Sequence, residues 1–191
     1  MIDDLYSQFQ YSNIGIACLY ADYKDQTNQT LVHILGSFLR QLLTTLQVPV
    51  SDEVIQRLHK IQRQGKKVGT EDTLTLLKIL LHQLQRAFIC IDAVDELEPK
   101  TRQQLLNILK ELVGSTNTHL FLTGRGHVEN EVQKRFQGTQ EYTVIISASQ
   151  QDIQEFIRQQ IKEDYDLNPE AMDEELAQSI IDGIIKKSQG M

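Results

Sequence analysis

The 191-residue sequence lacks the features of membrane and secreted proteins. No stretch approaches the roughly 18–20 consecutive apolar residues that a membrane helix needs. The first residues are acidic and do not place a basic region ahead of an apolar run, so we expect no secretory signal there. The two cysteines, Cys18 and Cys90, lie inside apolar runs, a position typical of buried thiols in a reduced protein. These features together predict a cytoplasmic protein without a membrane partner.

Basic residues are also in short supply. Lys and Arg number 19 against 26 Asp and Glu, giving a net charge of −7, and the whole acidic excess falls within residues 149–182, which hold ten acids and two bases. Binding to a nucleic-acid backbone needs clustered Lys and Arg. The best basic cluster, within residues 57–67, has the spacing of a solvated helix face. We therefore expect no nucleic-acid partner.

Four short apolar runs rich in β-branched or aromatic residues are present, and each is followed by a helical pattern. Their near-continuous apolarity, rather than alternation, predicts strands buried on both faces, as in a parallel sheet covered by helices. The predicted strands are residues 14–20, 87–91, 119–123 and 142–146.

The segments between these runs have helical spacing. Pro99 suits the first position of a helix, and Ser149 followed by Asp152 has the character of a capping box. In the helix that Ser149 opens, the inward positions are predicted to be Ile153, Phe156, Ile157 and Ile161. The predicted helices are residues 30–46, 52–62, 70–84, a helix from 99, 129–136, a helix from 149, and 168–187.

The alternation of strands and helices predicts an α/β fold with three layers, a mostly parallel sheet flanked by helices, and a C-terminal helical extension. An acidic turn over residues 163–168 is the one plausible boundary, dividing the chain into residues 1–163 and 164–191.

Three acids follow the second predicted strand. Asp92 comes directly after four apolar residues, and Asp95 and Glu96 lie within the next turn. The carboxyl end of a buried strand is where open α/β sheets bind ligands. An acid there can hold Mg²⁺ through water, and a second can orient or deprotonate an attacking water. The alternative is a buried strand that simply ends in an acidic loop.

The third predicted strand ends in Thr123, Gly124 and Arg125. If this strand neighbours the acidic one, Arg125 could reach a γ-phosphate and stabilise its charge. Without that neighbour, Arg125 is an ordinary loop arginine.

The segments Ile-Asp92-Ala-Val-Asp95-Glu96-Leu and Leu-Phe-Leu-Thr123-Gly-Arg125 resemble the extended Walker B and sensor-1 motifs of NACHT-type STAND P-loop NTPases. The sequence is most similar to fungal NACHT proteins with a nephrocystin-type N-terminal region, often followed by ankyrin repeats. The resemblance implies that residues 1–163 are an incomplete NACHT-like NTPase domain and that residues 164–191 begin a helical extension.

The resemblance also implies roles for individual residues. Asp92 would be the metal ligand, Asp95, Glu96 and Arg125 the catalytic residues, and Thr123 and Arg125 would contact the nucleotide. The implied cofactors are Mg²⁺ and ATP or GTP, in a switch whose nucleotide state controls self-association or binding to intact NACHT proteins.

One family motif is missing. The phosphate-binding pattern G-x-x-x-x-G-K-[ST] occurs nowhere in the 191 residues. The loop's backbone N–H groups and its lysine hold the β- and γ-phosphates, so we expect weak or absent nucleotide binding and no hydrolysis by this chain. The family's sheet would also lack its first strand, which lies centrally and would leave its neighbours facing a gap.

Two functions remain open. The chain is the incomplete nucleotide-binding core of a NACHT/STAND switch, or it is a degenerate, non-catalytic NACHT fragment that acts as a protein-interaction module. An upstream Gly-Lys-Ser or Gly-Lys-Thr loop would favour the first, and a genuine start at Met1 would favour the second. An unrelated hydrolase finds little support, since neither G-x-S-x-G nor H-E-x-x-H occurs.

Overall fold

The computed structural model describes residues 5, 7, 13–45, 49–63, 65, 68–140, 142–146, 149–167 and 174–188. Two compact units make up the chain, residues 1–140 and residues 141–191. The first unit contains the sheet and the second contains a pair of helices.

The first unit is built on a parallel sheet of three strands in the order β1-β2-β3. The strands are β1 (Ile14–Tyr20), β2 (Arg86–Asp92) and β3 (Thr118–Leu122). Both pairings are parallel, with Cys18 opposite Cys90 and Cys90 opposite Phe121. The α/β class, the parallel sheet and three of the four predicted strands are therefore confirmed.

Helices connect the strands and follow the predicted ranges closely. Pro99 is the first residue of its helix, where a missing N–H leaves no hydrogen bond unmade, and the Glu98 side chain accepts a hydrogen bond from the Thr101 amide at 3.3 Å. The described helices are α1 (Leu31–Thr45), α2 (Asp52–Arg63), α3 (Thr70–Gln83), α4 (Pro99–Ser115), α5 (Glu129–Phe136), α6 (Gln150–Leu167) and α7 (Glu174–Ser188). None of them combines the length and hydropathy needed to cross a bilayer.

The core lies on one face of the sheet. Alternate strand residues point to this face, among them Ala17, Ile89 and Ile91, and α1 packs there against both β1 and α3. Burial of these apolar side chains is the main stabilising contribution. The helical side chains that are fully buried in this layer include Leu35, Phe38, Leu42, Leu76, Leu77, Leu80, Leu105, Leu106, Leu109 and Leu112.

Gly15 marks the tightest approach between β1 and this helical layer. A Cβ atom at residue 15 would lie 2.5 Å from Leu84 Cδ1 and 2.6 Å from Leu42 Cδ2. Real Cβ atoms do not approach other atoms this closely, so a side chain here would require the Leu84 and Leu42 side chains to shift in the core.

The two cysteines are free thiols on neighbouring strands. The burial predicted from the sequence is confirmed for Cys90, whereas Cys18 is half-buried. Burial, followed by the proximity of the Cys90 thiol, raises the pKa of Cys18 to about 11. Burial also raises the pKa of Cys90. Both thiols are therefore protonated at neutral pH and poor nucleophiles.

The second unit contains α6 and α7, which pack against each other with Ile157 and Ile181 buried. The capping box predicted at its start is confirmed. The Ser149 amide donates to Asp152 Oδ2 at 2.9 Å, and the Asp152 amide donates to Ser149 Oγ at 3.1 Å. The Ser149 hydroxyl also donates to Asp152 Oδ2, at 2.7 Å, and this bond, followed by that from the Ser149 amide, lowers the pKa of Asp152 because both stabilise the ionised carboxylate.

Three predictions about the C-terminal part were wrong. Residues 142–146 form no strand, because no described strand pairs with them, and their side chains are exposed. Phe156 does not point inward: its side chain is 65% exposed, and the buried position of that turn is Ile157. The acidic turn predicted over residues 163–168 is helical as far as Leu167, and residue 168 lies outside the described residues. The domain division after residue 163 stays a prediction.

Candidate functional site

The carboxyl ends of the three parallel strands bring three loops to one edge of the sheet. The Ala21 amide donates to the Asp92 carbonyl at 3.0 Å, and the Thr123 amide donates to the Ile91 carbonyl at 3.0 Å. These bonds extend the strand ladders to the points where the side chains of Asp92 and Thr123 emerge. The second and third strands are therefore neighbours, which was the condition under which the sequence indicated a role for Arg125.

Asp92 and Thr123 are in direct contact. The Thr123 hydroxyl donates a hydrogen bond to Asp92 Oδ1 and accepts one from the Ala93 amide at 2.8 Å. Asp92 is exposed, whereas Thr123 is half-buried. The hydroxyl thus orients one carboxylate oxygen while the group as a whole remains open to solvent.

The backbone immediately after Asp92 is held in an unusual conformation. Ala93 has φ 54° and ψ 48°, and it is the one non-glycine residue with positive φ among those the structure describes. This left-handed conformation costs an L-residue roughly 1–2 kcal/mol. The Ala93–Thr123 bond and a bond from the Glu96 amide to the Ala93 carbonyl, at 2.9 Å, hold it in place.

Asp95 and Arg125 join the loops that follow β2 and β3. The Arg125 amide donates to Asp95 Oδ1 at 3.2 Å, and the guanidinium Nε lies 3.6 Å from Asp95 Oδ2. The Asp95 side chain is only 4% exposed, whereas that of Arg125 is 75% exposed. Gly124 allows this approach, because a Cβ atom there would lie 3.0 Å from Val128 Cγ2 and 3.2 Å from Val94 Cγ1.

Glu96 connects the same cluster to the loop after β1. Its Oε1 lies 3.7 Å from Arg125 Nη2, and its Oε2 accepts a hydrogen bond from the Tyr23 amide at 3.2 Å. The Gln26 side-chain amide donates to the Glu96 carbonyl at 2.8 Å. Sequence reasoning missed Tyr23 and Gln26. Both could have been considered from the sequence, because in a parallel sheet the loop after β1 must lie at the same edge as the loops after β2 and β3.

Arg102 is a second residue that sequence reasoning missed. Its Nη1 lies 3.3 Å from the carbonyl oxygens of both Asp95 and Leu97, and its Nε pairs with Glu131 at 3.0 Å. The Arg102 side chain is largely buried, and its hydrogen bonds hold the loop that carries Asp95 and Glu96 in place. No sequence signal distinguished Arg102 from the other basic residues of its helix.

The donor set at Asp92 suits a magnesium ion held largely by water. Mg²⁺ keeps several of its waters and is usually bound through one or two carboxylates together with substrate phosphates. Asp92 supplies one exposed carboxylate with its neighbouring hydroxyl. The residues that the structure describes include no group of three or more His, Cys, Asp or Glu that could hold a metal by itself. Asp92 and its neighbouring hydroxyl therefore suit a Mg²⁺ ion that keeps several waters and takes its remaining coordination from a bound ligand.

The fold and this edge define the class of the protein. It is an α/β protein with a parallel sheet, and the loops at the carboxyl edge of the sheet carry several acids and an arginine. The family model described as nephrocystin 3, N-terminal, matches residues 1–125, and the chain belongs to this family. The matched region contains all three strands and ends at Arg125. No curated protein matches the chain.

Proposed function

We propose that this chain supplies the metal-binding edge of a nucleotide site in a NACHT-type STAND NTPase. One observation carries the proposal. Asp92 and Thr123, at the ends of two neighbouring parallel strands, are hydrogen-bonded at the edge where open α/β sheets bind ligands, and Arg125 follows in the same loop as Thr123 and pairs with Asp95 and Glu96. The membership of residues 1–125 in a nephrocystin-type family supports it further.

Each of these residues has a distinct part in the proposed site. Asp92 would hold Mg²⁺ through water, and Thr123 would orient its carboxylate. The metal would neutralise the phosphates of ATP or GTP. Arg125 would leave Asp95 and Glu96 for a phosphate. Its pairing atoms lie 3.6 and 3.7 Å from those acids and its side chain is 75% exposed, so it can reorient, but the nearly buried Asp95 carboxylate would lose its counter-charge, a cost that the phosphate contact must offset.

Asp95 and Glu96 are both engaged by groups of the protein itself. Asp95 accepts the Arg125 amide and is almost fully buried, and Glu96 accepts the Tyr23 amide. These contacts favour a positioning role for both acids, in which they hold three loops in register at the sheet edge. The family resemblance also predicts that both acids take part in hydrolysis, and this stays a prediction.

Nucleotide binding by this chain is expected to be weak. No G-x-x-x-x-G-K-[ST] loop occurs in its 191 residues, so the backbone N–H cradle for the β- and γ-phosphates is not provided by this pattern. We therefore propose that the chain does not turn over ATP or GTP. Measurable hydrolysis by the purified chain would overturn this part of the proposal.

The metal assignment is tested in a family member that carries a Gly-Lys-Ser or Gly-Lys-Thr loop. Replacing the acid aligned with Asp92 by alanine is expected to abolish Mg²⁺-dependent nucleotide retention. The matched control replaces the residue aligned with Asp72, an exposed acid outside the site that pairs with Arg57 at 3.9 Å. Unchanged retention in the first variant would contradict the metal assignment.

A second candidate is a non-catalytic interaction module that associates with intact family members. The observation favouring it is that the Arg125 guanidinium already pairs with both Asp95 and Glu96, at 3.6 and 3.7 Å, so this cation is engaged by protein groups. A chain that binds neither Mg²⁺ nor nucleotide, but binds an intact family member through the first unit, would support this candidate over the first.

A further inference from the structure

Cys18 and Cys90 form a pair of thiols that the proposed nucleotide site does not use. They are direct register partners on the parallel strands β1 and β2. Side chains alternate along a strand, and Ala17 and Ile89 belong to the core, so both cysteines point to the opposite face of the sheet. The Cys90 thiol is near enough to raise the pKa of Cys18. The two sulfur atoms are therefore close neighbours on one face.

The backbone holds this pair in a fixed arrangement. The Gln41 side-chain amide donates to the Cys18 carbonyl, and the Gln41 side-chain oxygen accepts from the Cys18 amide, both at 2.8 Å. Cys90 lies in the middle strand of the three, which pairs with β1 on one side and β3 on the other. Cys90 is buried and Cys18 is half-buried, so a small ligand reaches the pair from the Cys18 side.

The spacing of the pair suits one metal ion between the two sulfur atoms. Neighbouring strands lie about 4.7–4.9 Å apart, so directly opposed side chains begin at roughly that separation. Two metal–thiolate bonds of about 2.3 Å, the length typical of zinc, span up to about 4.6 Å. A disulfide needs its Cβ atoms about 3.8 Å apart, so the strands would have to draw together. The spacing therefore favours a bridging metal over a disulfide.

The donor atoms restrict which metal fits. Zinc sites use three or four protein ligands. Within the part of the chain that the structure describes, no third His, Cys, Asp or Glu joins the two cysteines in a metal-binding group. Thiolates are soft ligands that select soft ions such as Cu(I), which two sulfur ligands can satisfy.

We propose that Cys18 and Cys90 form a two-sulfur site for a soft, monovalent metal ion of the Cu(I) type. On binding, each thiol releases its proton to solvent and forms one bond to the ion, so two S–H bonds are replaced by two metal–sulfur bonds without oxidation or reduction. The ion offsets one of the two thiolate charges, and the half-buried position of Cys18 leaves the complex partly solvated. The bound ion links β1 to β2.

The first test measures the Cu(I) affinity of the full, reduced chain without oxygen, in competition with a chromogenic Cu(I) chelator. The wild-type chain is expected to bind one Cu(I) with two sulfur ligands in its copper K-edge spectrum. Cys18→Ser and Cys90→Ser are each expected to weaken binding by more than about a hundredfold, since residues that only support metal ligands already contribute roughly 10–100-fold. His59→Ala, which removes an exposed imidazole on α2, is the control and is expected to bind as the wild type does.

The second test is thermal unfolding with Cu(I), which needs no variant. An ion that binds the native pair better than the separated cysteines of the unfolded chain stabilises the fold by mass action. At free Cu(I) about a hundredfold above the dissociation constant, the unfolding midpoint is expected to rise by about 5 °C or more. Cys18→Ser is expected to show no rise. Should Cys90→Ser fail to fold, Cys18→Ser and the wild-type melting curve still decide the question.

Three results would overturn the proposal. One is a wild-type chain that loses all its Cu(I) to the chelator. Another is Cu(I) affinity that is unchanged in a folded Cys18→Ser chain. The third is a midpoint that stays the same or falls when Cu(I) is added, since the native pair would then bind the ion no better than two cysteines of an unfolded chain.

Discussion

The Thr123 hydroxyl contacts two consecutive residues: it donates a hydrogen bond to the Asp92 carboxylate and accepts one from the Ala93 amide. One side chain from the end of β3 therefore orients the exposed acid at the end of β2 and stabilises the left-handed residue that follows it. This contact ties the geometry of the candidate metal ligand to the integrity of the third strand.

Replacing Thr123 by valine is expected to destabilise the first unit. The change keeps the shape of the side chain but removes the hydroxyl, so the Ala93 amide loses its hydrogen-bond acceptor and the strained backbone loses a support. We expect a loss of about 1–3 kcal/mol in the free energy of unfolding, measured by urea denaturation.

The matched control is Thr75→Val on α3, where the hydroxyl only bonds back to the Glu71 carbonyl one turn earlier. This change is expected to alter stability by less than about 0.5 kcal/mol. Equal effects of the two substitutions would show that Thr123 does not support the loop.

A pair of glycine substitutions tests the packing between β1 and the helices. Gly15→Ala is expected to destabilise the fold by about 1–3 kcal/mol, because its Cβ would overlap Leu84 and Leu42 in the core. Gly36→Ala, in α1, meets no atom within 4 Å and is expected to stabilise by about 0.5–1 kcal/mol. Thermal unfolding of both variants measures the difference, and a stabilising Gly15→Ala would contradict the described approach.

Thiol chemistry tests the burial of the Cys18 and Cys90 pair. Because burial raises the pKa of Cys18 to about 11, its thiolate is scarce near pH 8, and iodoacetamide should alkylate it about a hundredfold more slowly than an ordinary thiol. The folded state disfavours the thiolate, so stability is expected to fall as pH rises from about 9 towards 11.

Mass spectrometry of the alkylated chain measures the rate at each cysteine. The control is the same chain in denaturant, where both thiols should react rapidly. Alkylation of native Cys18 at the denatured rate would contradict its placement in the sheet.

The capping box at the start of α6 predicts a pH dependence at the acidic end. The pKa of Asp152 is lowered in the folded chain, so the contribution of its carboxylate is present above the ordinary pKa of about 4 and is lost as pH falls through the lower folded value. Ser149→Ala is expected to move this pKa up towards the ordinary range, as measured by carboxyl NMR titration. Ser179→Ala, on α7, should not move it, and an unchanged pKa in Ser149→Ala would argue against the cap.

Much of the fold was predictable from local pattern. Continuous apolar runs gave β1, β2 and β3, because strands covered on one face by helices and partly buried on the other have few polar positions. Pro99 and the Ser149–Asp152 pair fixed two helix starts through backbone chemistry that depends only on neighbouring residues.

Residues 142–146 show where pattern fails. Their composition predicts a strand, yet a strand forms only where another strand offers its peptide groups, and the sequence of the segment carries no information about that partner. Phe156 shows the same limit for a helix, since its helical spacing fits the apolar stripe but Ile157 occupies the buried position.

The candidate site was predictable in its strand ends but not in its contacts. Parallel strands bring Asp92 and Thr123 to one edge, and the sequence indicated both. The engagement of Asp95 and Glu96 by Arg125, Tyr23 and Arg102 depends on loop conformations set by long-range packing. The observed contacts of Asp95 and Glu96 hold the loops together, and the part in hydrolysis that the pattern of acids predicted for them stays a prediction.

The most direct test of the central claim, that Asp92 holds a divalent metal at this edge, is paramagnetic broadening by Mn²⁺ used as a substitute for Mg²⁺. In the wild-type chain, Mn²⁺ is expected to broaden the amide resonances of residues 92, 93 and 123 first. Asp92→Asn should abolish this local broadening, and Asp72→Asn should leave it intact. Broadening that persists in Asp92→Asn, or that never centres on these three residues, would contradict the assignment.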